Sequence, residues 1–213
     1  MPEPQSIVAE QFEDAAQQCE AATLGMWTFL VTEVLFFGGL FLAYVVYRHA
    51  YPEGFAAGSR HTDLFFGTLN TAILLTSSLT MVLAVQAAQA NETKMVMRCL
   101  LWTLALAGGF LVVKGFEYHK DIVEHLVPGA GFSPELPARA QMFFWLSWAM
   151  TGLHAIHVIV GMGLISVMTW LARRGKFSAE YHTPVEIVGL YWHFVDIVWI
   201  FLYPLLYLIG RHA

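Results

Sequence analysis

Three ionisable residues lie inside the last apolar segment of the chain, residues 185–210: Glu186, His193 and Asp196. In a membrane-spanning helix such side chains are costly unless they face protein, water or a partner charge. With about 100° between successive residues, the three fall on an arc of roughly 80° of one helix face. They can therefore share one neighbour, and we predict a polar contact there while the opposite face meets lipid.

A single carboxyl, Glu33, stands about ten residues into the first apolar segment. The surrounding Leu and Phe residues can offset its insertion penalty of about 3 kcal/mol, so the segment can still enter a membrane. Two interpretations stay open from the residues alone. Glu33 is either a protonated side chain hydrogen-bonded to another helix, or a carboxyl that faces protons or a partner protein.

Two histidines, His154 and His157, share a helix face with Gly161, because the spacing is i, i+3 and i+7. Two imidazoles could ligate a metal, but a site needs three or four ligands and no Cys or carboxylate stands beside them in sequence. We therefore predict structural hydrogen bonding and no metal site.

Two further polar groups lie in other apolar segments. Asn70 accompanies several Ser and Thr residues in the second segment, a pattern typical of polar contacts between membrane helices. Lys114 and Glu117, at i and i+3, could form an ion pair at the membrane surface, and the alternative is simple interfacial anchoring.

Composition indicates a membrane protein. Hydrophobic residues make up 57% of the chain, charged residues only 13%, and the mean hydropathy is +0.57. Soluble domains carry about 25% charged residues. The sequence also lacks a phosphate-binding glycine loop, a dinucleotide fingerprint and a nucleophile elbow. We therefore predict no catalytic residue and no nucleic-acid partner.

Gaps between charged residues predict an all-α, polytopic bundle of five transmembrane helices over residues 23–211. An acidic N-terminal tail or surface helix, residues 1–22, precedes it, and no secretory signal is recognised there. Five spans place the termini on opposite sides, and the RRGK cluster at 173–176 favours a cytoplasmic N-terminus. A transporter, a channel and a complex subunit all stay open. The approximate spans are 23–47, 64–90, 96–117, 140–172 and 185–210.

Five motifs together resemble subunit III of the haem-copper cytochrome c oxidases. They are WTFLVTEVLFFGGLFLAY (27–44), GTLNTAILLTSS (67–78), GGFLVVKGFEYHK (108–120), TGLHAIHVIVG (151–161) and GLYWHFVDIVWIFLYPLLYL (189–208). Many members of that family have seven helices with a lipid-holding cleft, whereas this chain is similar to the five-helix bacterial form. Lys114 stands where the mitochondrial form has Gln.

The resemblance implies a non-redox accessory subunit of a bacterial terminal oxidase in aerobic respiration. Such a subunit packs against catalytic subunit I, with subunit II in the same complex, binds phospholipid, and supports proton uptake and the durability of the active site. It implies no cofactor in this chain other than phospholipid, with haem and copper in the partner subunits. The implied location is the bacterial inner membrane, with a cytoplasmic N-terminus and a periplasmic C-terminus.

By the same resemblance, Glu33 matches the buried carboxyl of the family and is the first candidate for a proton-related residue. We expect it to hydrogen-bond to another helix, with His154 or His157 as the favoured partner. Tyr191, Trp192, His193 and Asp196 match the WHFVD region, where both packing and lipid head-group contact are open.

Two alternatives remain at this stage. One is the similar accessory protein of a quinol oxidase or nitric oxide reductase. The other is an independent proton-linked transporter working through Glu33, Lys114 and Asp196. A transporter of that kind predicts paired broken helices and repeat symmetry. The sequence has neither, although Pro204 could kink the last helix.

Overall fold

The structure is a computed structural model that describes residues 11–129, 131–134, 136–137, 139–177 and 181–208. The predicted all-α fold is confirmed. Five of its helices are long and apolar enough to cross a membrane, by length and composition. A short helix, α2 (Pro52–His61), joins the first two of them. The long helices are α1 (Ala15–Ala50), α3 (Leu64–Gln89), α4 (Thr93–Val123), α5 (Ala140–Arg173) and α6 (Thr183–Tyr203).

Local capping explains where two helices begin. The Asp14 side chain accepts a hydrogen bond from the Gln17 N–H, and Asp63 accepts one from the Phe65 N–H, so each satisfies a free donor of a first turn. Helix α1 thus begins within the segment 1–22 that was expected to be a tail or surface helix. Residues 1–10 of that segment, and residues 209–211 at the end of the predicted bundle, lie outside the described residues.

Helices α3 and α4 form an antiparallel pair with a regular register. The Thr80 and Thr103 hydroxyls are 2.7 Å apart, and Lys120 Nζ donates to Asp63 Oδ2 at 3.1 Å near the other end. Both contacts join residues whose numbers add to the same sum. The antiparallel register of the two helices is therefore constant between these two contacts. It fixes which residue of α4 lies opposite each residue of α3 in this stretch.

Helix α6 lies in the centre of the bundle and α1 at its edge. Of the apolar stretch of α6, 61% of residues are buried within the protein, compared with 17% for α1. Helix α6 contacts α1, α3 and α5. Most of α1 therefore presents apolar side chains outward, where lipid or a partner protein can cover them.

The chain after α6 continues as one π-helical turn, Pro204–Leu208. Proline lacks an N–H and clashes with the preceding turn, so the regular hydrogen-bond pattern ends there. Two carbonyls in this turn are bound by side chains. Tyr44 donates to the Leu205 carbonyl, and Ser59 donates to the Leu206 carbonyl at 3.1 Å. The expected irregularity at Pro204 is thus an anchor for α1 and α2.

Candidate functional site

The carboxyl of Glu33 reaches across from α1 to α5. Its Oε2 lies 3.1 Å from Nε2 of His157, and the two side chains are 17% and 14% exposed. The expected hydrogen bond between Glu33 and one of the two histidines is confirmed, and its partner is His157. Phe37, one turn further along α1, packs edge-on against the imidazole with 5.2 Å between ring centres.

The hydrogen bond of the other ring nitrogen of His157 limits the protonation states that the pair can adopt. Its Nδ1 lies 2.9 Å from the Leu153 carbonyl, which can only accept, so Nδ1 carries a proton. The proton between Nε2 and Glu33 then belongs to one side or the other. Either a protonated Glu33 donates to a neutral ring, or a charged imidazolium donates to a carboxylate. In both states a single proton lies between the two side chains.

An apolar groove runs along the outside of α1 and α6 beside this pair. It has a volume of about 430 Å³. Phe37 belongs both to the groove wall and to the contact with His157. Among the described residues that line it, His193 is the one ionisable side chain. The lining residues are Trp27, Leu30, Val34, Phe37, Gly38, Phe41, Leu190, His193, Phe194, Ile197, Val198 and Phe201.

The three ionisable residues of α6 share one neighbouring helix, α3. Gln89 at the end of α3 donates to Glu186 at 2.6 Å, and His182 lies 3.2 Å from the same carboxyl. His193 Nδ1 lies 2.8 Å from the Ser78 hydroxyl of α3. The predicted shared neighbour is therefore helix α3 and not a single side chain, because seven residues of helix separate Glu186 from His193 by about 10 Å along the axis.

Asp196 is buried beside the same part of α3. Ser78 lies close enough to interact with it. Even so, within the described part of the chain neither carboxyl oxygen of Asp196 makes a hydrogen bond of normal geometry. The side chain is 3% exposed, so its oxygens have little contact with solvent or lipid.

Two of the residues expected to contact lipid instead face the protein interior. Tyr191 is buried and donates to the His157 carbonyl at 3.1 Å, while Trp192 is fully buried and its Nε1 donates to the Ser77 hydroxyl at 3.1 Å. The expectation of lipid contact is corrected for both, and packing is their observed role. Of the three candidates only His193 borders the groove.

Lys114 and Glu117 form the expected ion pair, but inside the bundle. Lys114 Nζ donates to Glu117 Oε2 at 2.9 Å and to the Tyr207 hydroxyl at 2.8 Å, and that hydroxyl donates in turn to Glu117 Oε1. Both charged side chains are 6% exposed. Tyr207 from the last turn covers both charges, and the position of the pair relative to the membrane surface stays a prediction.

Two polar residues in the interior are fully buried with no hydrogen-bond partner among the described residues. They are Asn70 on α3 and His154 on α5. His154 lies against the rings of Phe110 and Trp199 instead of a polar group. No cluster of three or more His, Cys, Asp or Glu that could hold a metal occurs in the part of the chain that is described.

One ion pair lies where α2 meets α3. Lys120 Nζ lies 3.1 Å from Asp63 Oδ2, and both side chains are partly exposed. Partial burial raises the pKa of Asp63, but the hydrogen bond and charge of Lys120 and the N–H groups of Phe65 and Phe66 act in the opposite direction. As a result the pKa of Asp63 lies below its ordinary value of 3.8.

Tyr207 was not among the candidate site residues predicted from the sequence, whereas Ser78 is one of the Ser and Thr residues of the second segment expected to make contacts between helices. The helical spacing of Lys114 and Glu117 shows that they can meet, but nothing local indicates which distant residue covers them. Tyr207 is 93 residues away from Lys114. A Tyr just after Pro204, in a turn whose carbonyls need partners, is the one signal that could have suggested it.

The sequence matches the family described as cytochrome c oxidase subunit III over residues 9–211. Cytochrome c oxidase subunit 3 of Thermostichus vulcanus is 34% identical over 200 residues, which cover 93% of this chain and 92% of that protein. Cytochrome bo(3) ubiquinol oxidase subunit 3 of Pseudomonas putida is 29% identical, with 90% of this chain and 87% of that protein covered.

A third relative is a fused protein. The heme-copper oxidase subunit I+III of Aeropyrum pernix is 32% identical over 86% of this chain, and the match spans 22% of that longer protein. The matched region covers nearly all of the five-helix bundle described above. The chain therefore belongs to the cytochrome c oxidase subunit III family, whose members are non-catalytic subunits of haem-copper oxidase complexes.

Proposed function

We propose that this subunit keeps proton uptake and the active site of its oxidase intact during turnover, and that the Glu33–His157 pair is the group through which it does so. The observation that carries the proposal is the position of that pair. It joins the edge helix α1 to α5, is partly exposed, and is a hydrogen bond between two side chains that can each carry a proton.

We propose that the catalytic partner is subunit I, with subunit II in the same complex. The fused relative from Aeropyrum pernix supports the first contact, because its name places subunits I and III in one polypeptide. The haem and copper of the complex then lie in the partner subunits, where electron transfer takes place. Residues of this chain would act on protons and packing alone.

We propose that the groove between α1 and α6 holds acyl chains of a membrane phospholipid. Its lining is apolar apart from His193, which suits hydrocarbon. A lipid there would cover Phe37 and so restrict access to the neighbouring imidazole of His157. Lipid binding and proton access would thus be coupled through one side chain.

We propose the bacterial inner membrane as the location, with the N-terminus in the cytoplasm and the C-terminus in the periplasm. The basic cluster at 173–176 at the end of α5 then lies on the cytoplasmic side, as the distribution of positive charge in membrane proteins favours. We assign Asn70, His154, Glu186, His193 and Asp196 to polar contacts and packing within the bundle.

The experiment replaces Glu33 with Gln in the intact complex. A Gln amide can still donate to Nε2 of His157, so the contact between α1 and α5 remains. The ionisable carboxyl is lost. We expect normal subunit and haem content but a several-fold change in the number of turnovers before activity decays. The matched control is Glu20→Gln, an exposed carboxyl on the same helix, which should behave like the wild type.

Decay curves that coincide for Glu33→Gln, Glu20→Gln and the wild type would overturn the proton role. Loss of the subunit from the complex in Glu33→Gln would also overturn it, because the residue would then act in assembly. Lipid analysis of the same preparations tests the groove. Replacing Gly38 with Phe, which fills the groove, should displace bound phospholipid.

A second candidate is the equivalent subunit of a quinol oxidase. The relative from Pseudomonas putida favours it, because that protein is named as a subunit of a ubiquinol oxidase and is nearly as similar. A nitric oxide reductase partner is the further variant of this alternative. The co-purifying catalytic subunits, and the presence or absence of a binuclear copper domain among them, distinguish the three complexes.

A further inference from the structure

We propose that Asn70, Lys114 and His154 form a binding site for internal water between α3, α4, α5 and α6. The site is separate from the Glu33–His157 pair and plays no part in the proton role proposed above. It is closed on the apolar side by the rings of Phe110 and Trp199. The ligand is neutral water, one molecule or a small cluster.

The first observation is the isolation of the His154 ring. The residue is fully buried, and neither ring nitrogen has a hydrogen-bond partner among the described residues. Its neighbours are Phe110, edge-on with 5.5 Å between ring centres, and Trp199 at 5.2 Å. An imidazole always has at least one N–H and, when neutral, one acceptor nitrogen. Aromatic faces satisfy neither of these groups well.

The second observation is the amide of Asn70. It is fully buried, and both its oxygen and its nitrogen lack a partner within the described ranges. The register of α3 and α4 places Asn70 level with residue 113, next to Lys114. The next residue, Thr71, accepts a hydrogen bond from Trp199 Nε1 at 3.0 Å, which brings the same indole to this height.

The third observation is the remaining donor of Lys114. An ammonium group has three N–H bonds, and two of them reach Glu117 and Tyr207. Its Nζ also lies 5.6 Å from the Trp199 ring, which is the ring that contacts His154. Lys114 and His154 thus approach one indole from α4 and α5, and the residue that follows Asn70 binds the same indole from α3.

Energetics favour a ligand at this point. A buried polar group without a hydrogen bond is destabilising, and among the described residues the Asn70 and His154 side chains are both in that condition. Internal waters occur about once per 27 residues and make about three hydrogen bonds each to such groups. A water can donate to the Asn70 oxygen or to a ring nitrogen, and it can accept from Lys114.

Charge selects water over an ion. Lys114 and Glu117 already balance each other, so an added anion or cation would bring an uncompensated charge into the bundle. A cation would also meet the ammonium of Lys114 directly. Water satisfies donors and acceptors with no net charge.

The test is a cryo-EM map of the intact oxidase complex at a resolution that shows ordered water. We expect density within about 3.5 Å of at least two of three groups: the Asn70 amide, a ring nitrogen of His154, and Lys114 Nζ. A direct hydrogen bond between Asn70 and His154, or well-ordered side chains with no density between them, would overturn the proposal.

A variant sharpens the assignment. Asn70→Leu keeps the approximate volume and removes the amide, so the water density should be lost. The control is Thr80→Val, which removes a direct hydrogen bond to Thr103 in the same helix pair and should leave the density in place. Unchanged density in Asn70→Leu would contradict the site. If Asn70→Leu does not assemble, the wild-type map decides alone.

Discussion

Two contacts between ionisable side chains in this bundle have opposite surroundings. The Glu33–His157 pair lies at the edge, with 17% and 14% of its side chains exposed, and one wall of the apolar groove packs against it. The Lys114–Glu117 pair lies inside, with 6% of each side chain exposed and Tyr207 bonded to both charges. The Glu33–His157 pair is a contact between two side chains, whereas Lys114, Glu117 and Tyr207 form a contact of three.

This difference predicts different roles for the two pairs. At the edge, the pair is partly exposed, so lipid, water or a partner protein can reach it. In the interior, Glu117 accepts hydrogen bonds from both Lys114 and Tyr207, and removing one charged member leaves a buried charge without its ionic partner. We therefore expect structural effects from the interior set and functional effects from the edge pair.

The largest effect is expected for Lys114→Met. The substitution leaves the Glu117 carboxylate buried with only the Tyr207 hydroxyl, and breaking such a pair costs about 3–5 kcal/mol. We expect little of this chain in the purified complex and a strongly lowered thermal midpoint. Lys114→Gln is the matched variant, because an amide can still donate to Glu117, and it should be markedly more stable. Equal stability of Lys114→Met and the wild type would show that the interior set is not a structural unit.

A smaller loss is expected for Gly161→Ala on α5. A Cβ at this position would lie 2.8 Å from the Trp192 ring and 3.2 Å from the Tyr191 ring. Overpacking of this kind costs about 1–3 kcal/mol. It would also disturb Tyr191, which binds the His157 carbonyl next to the edge pair.

The control for that prediction is Gly163→Ala, two residues along the same helix. A Cβ at Gly163 has no neighbour within 4 Å. Thermal unfolding of the complex should therefore show a lower midpoint for Gly161→Ala and an unchanged or slightly higher one for Gly163→Ala. The same midpoint for both variants would mean that the α5–α6 contact is looser than described.

A smaller effect than that of Gly161→Ala is expected for His157→Phe, which keeps an aromatic ring but removes both nitrogens. The hydrogen bonds to Glu33 and to the Leu153 carbonyl are lost, at about 1 kcal/mol each. The edge location lets the freed Glu33 carboxyl find other partners or become protonated. We expect assembly to persist and the turnover-dependent decay to match that of Glu33→Gln. A difference between the two decay rates would mean that Glu33 and His157 do not act as a unit.

The smallest effect is expected at Asp63 and Lys120, where both side chains are well exposed. Because the pKa of Asp63 is lowered in the folded protein, its contribution to stability is complete above the ordinary value of 3.8 and is lost as pH falls through the lowered pKa. Exposed pairs contribute about 0–1 kcal/mol. Asp63→Asn should lower the midpoint slightly at neutral pH and not at all at a pH below the lowered pKa. A large shift at neutral pH would show that this contact belongs with the interior set.

Helix positions followed from the sequence because apolar length and charge gaps are local properties. The predicted starts at residues 64 and 140 coincide with those of α3 and α5. Helix α2 was missed because it is only ten residues long and is not strongly apolar. The pairing of Glu33 with a histidine could be expected from the family resemblance, since both groups lie well inside long apolar runs.

Other parts of the site could not be predicted, because they depend on which helices are neighbours. Glu186, His193 and Asp196 do face one helix, α3, but the rise of α6 places Glu186 and His193 beside different residues of α3. Lys114 was expected at the membrane surface because it stands near the end of an apolar run. Tyr207, which shields it from solvent, is 93 residues away in sequence. Periodicity shows which residues share a face, and only packing shows what that face meets.

The most direct test of the central claim is mild-detergent purification of the tagged chain, followed by identification of the proteins that accompany it and a visible spectrum. The claim is that the chain works as the non-redox subunit of a neighbouring redox enzyme. We predict that a catalytic subunit with haem absorption co-purifies, and that the chain separated from it has no haem spectrum. A chain that purifies alone, and that carries its own haem or moves protons in vesicles without a partner, would contradict the account.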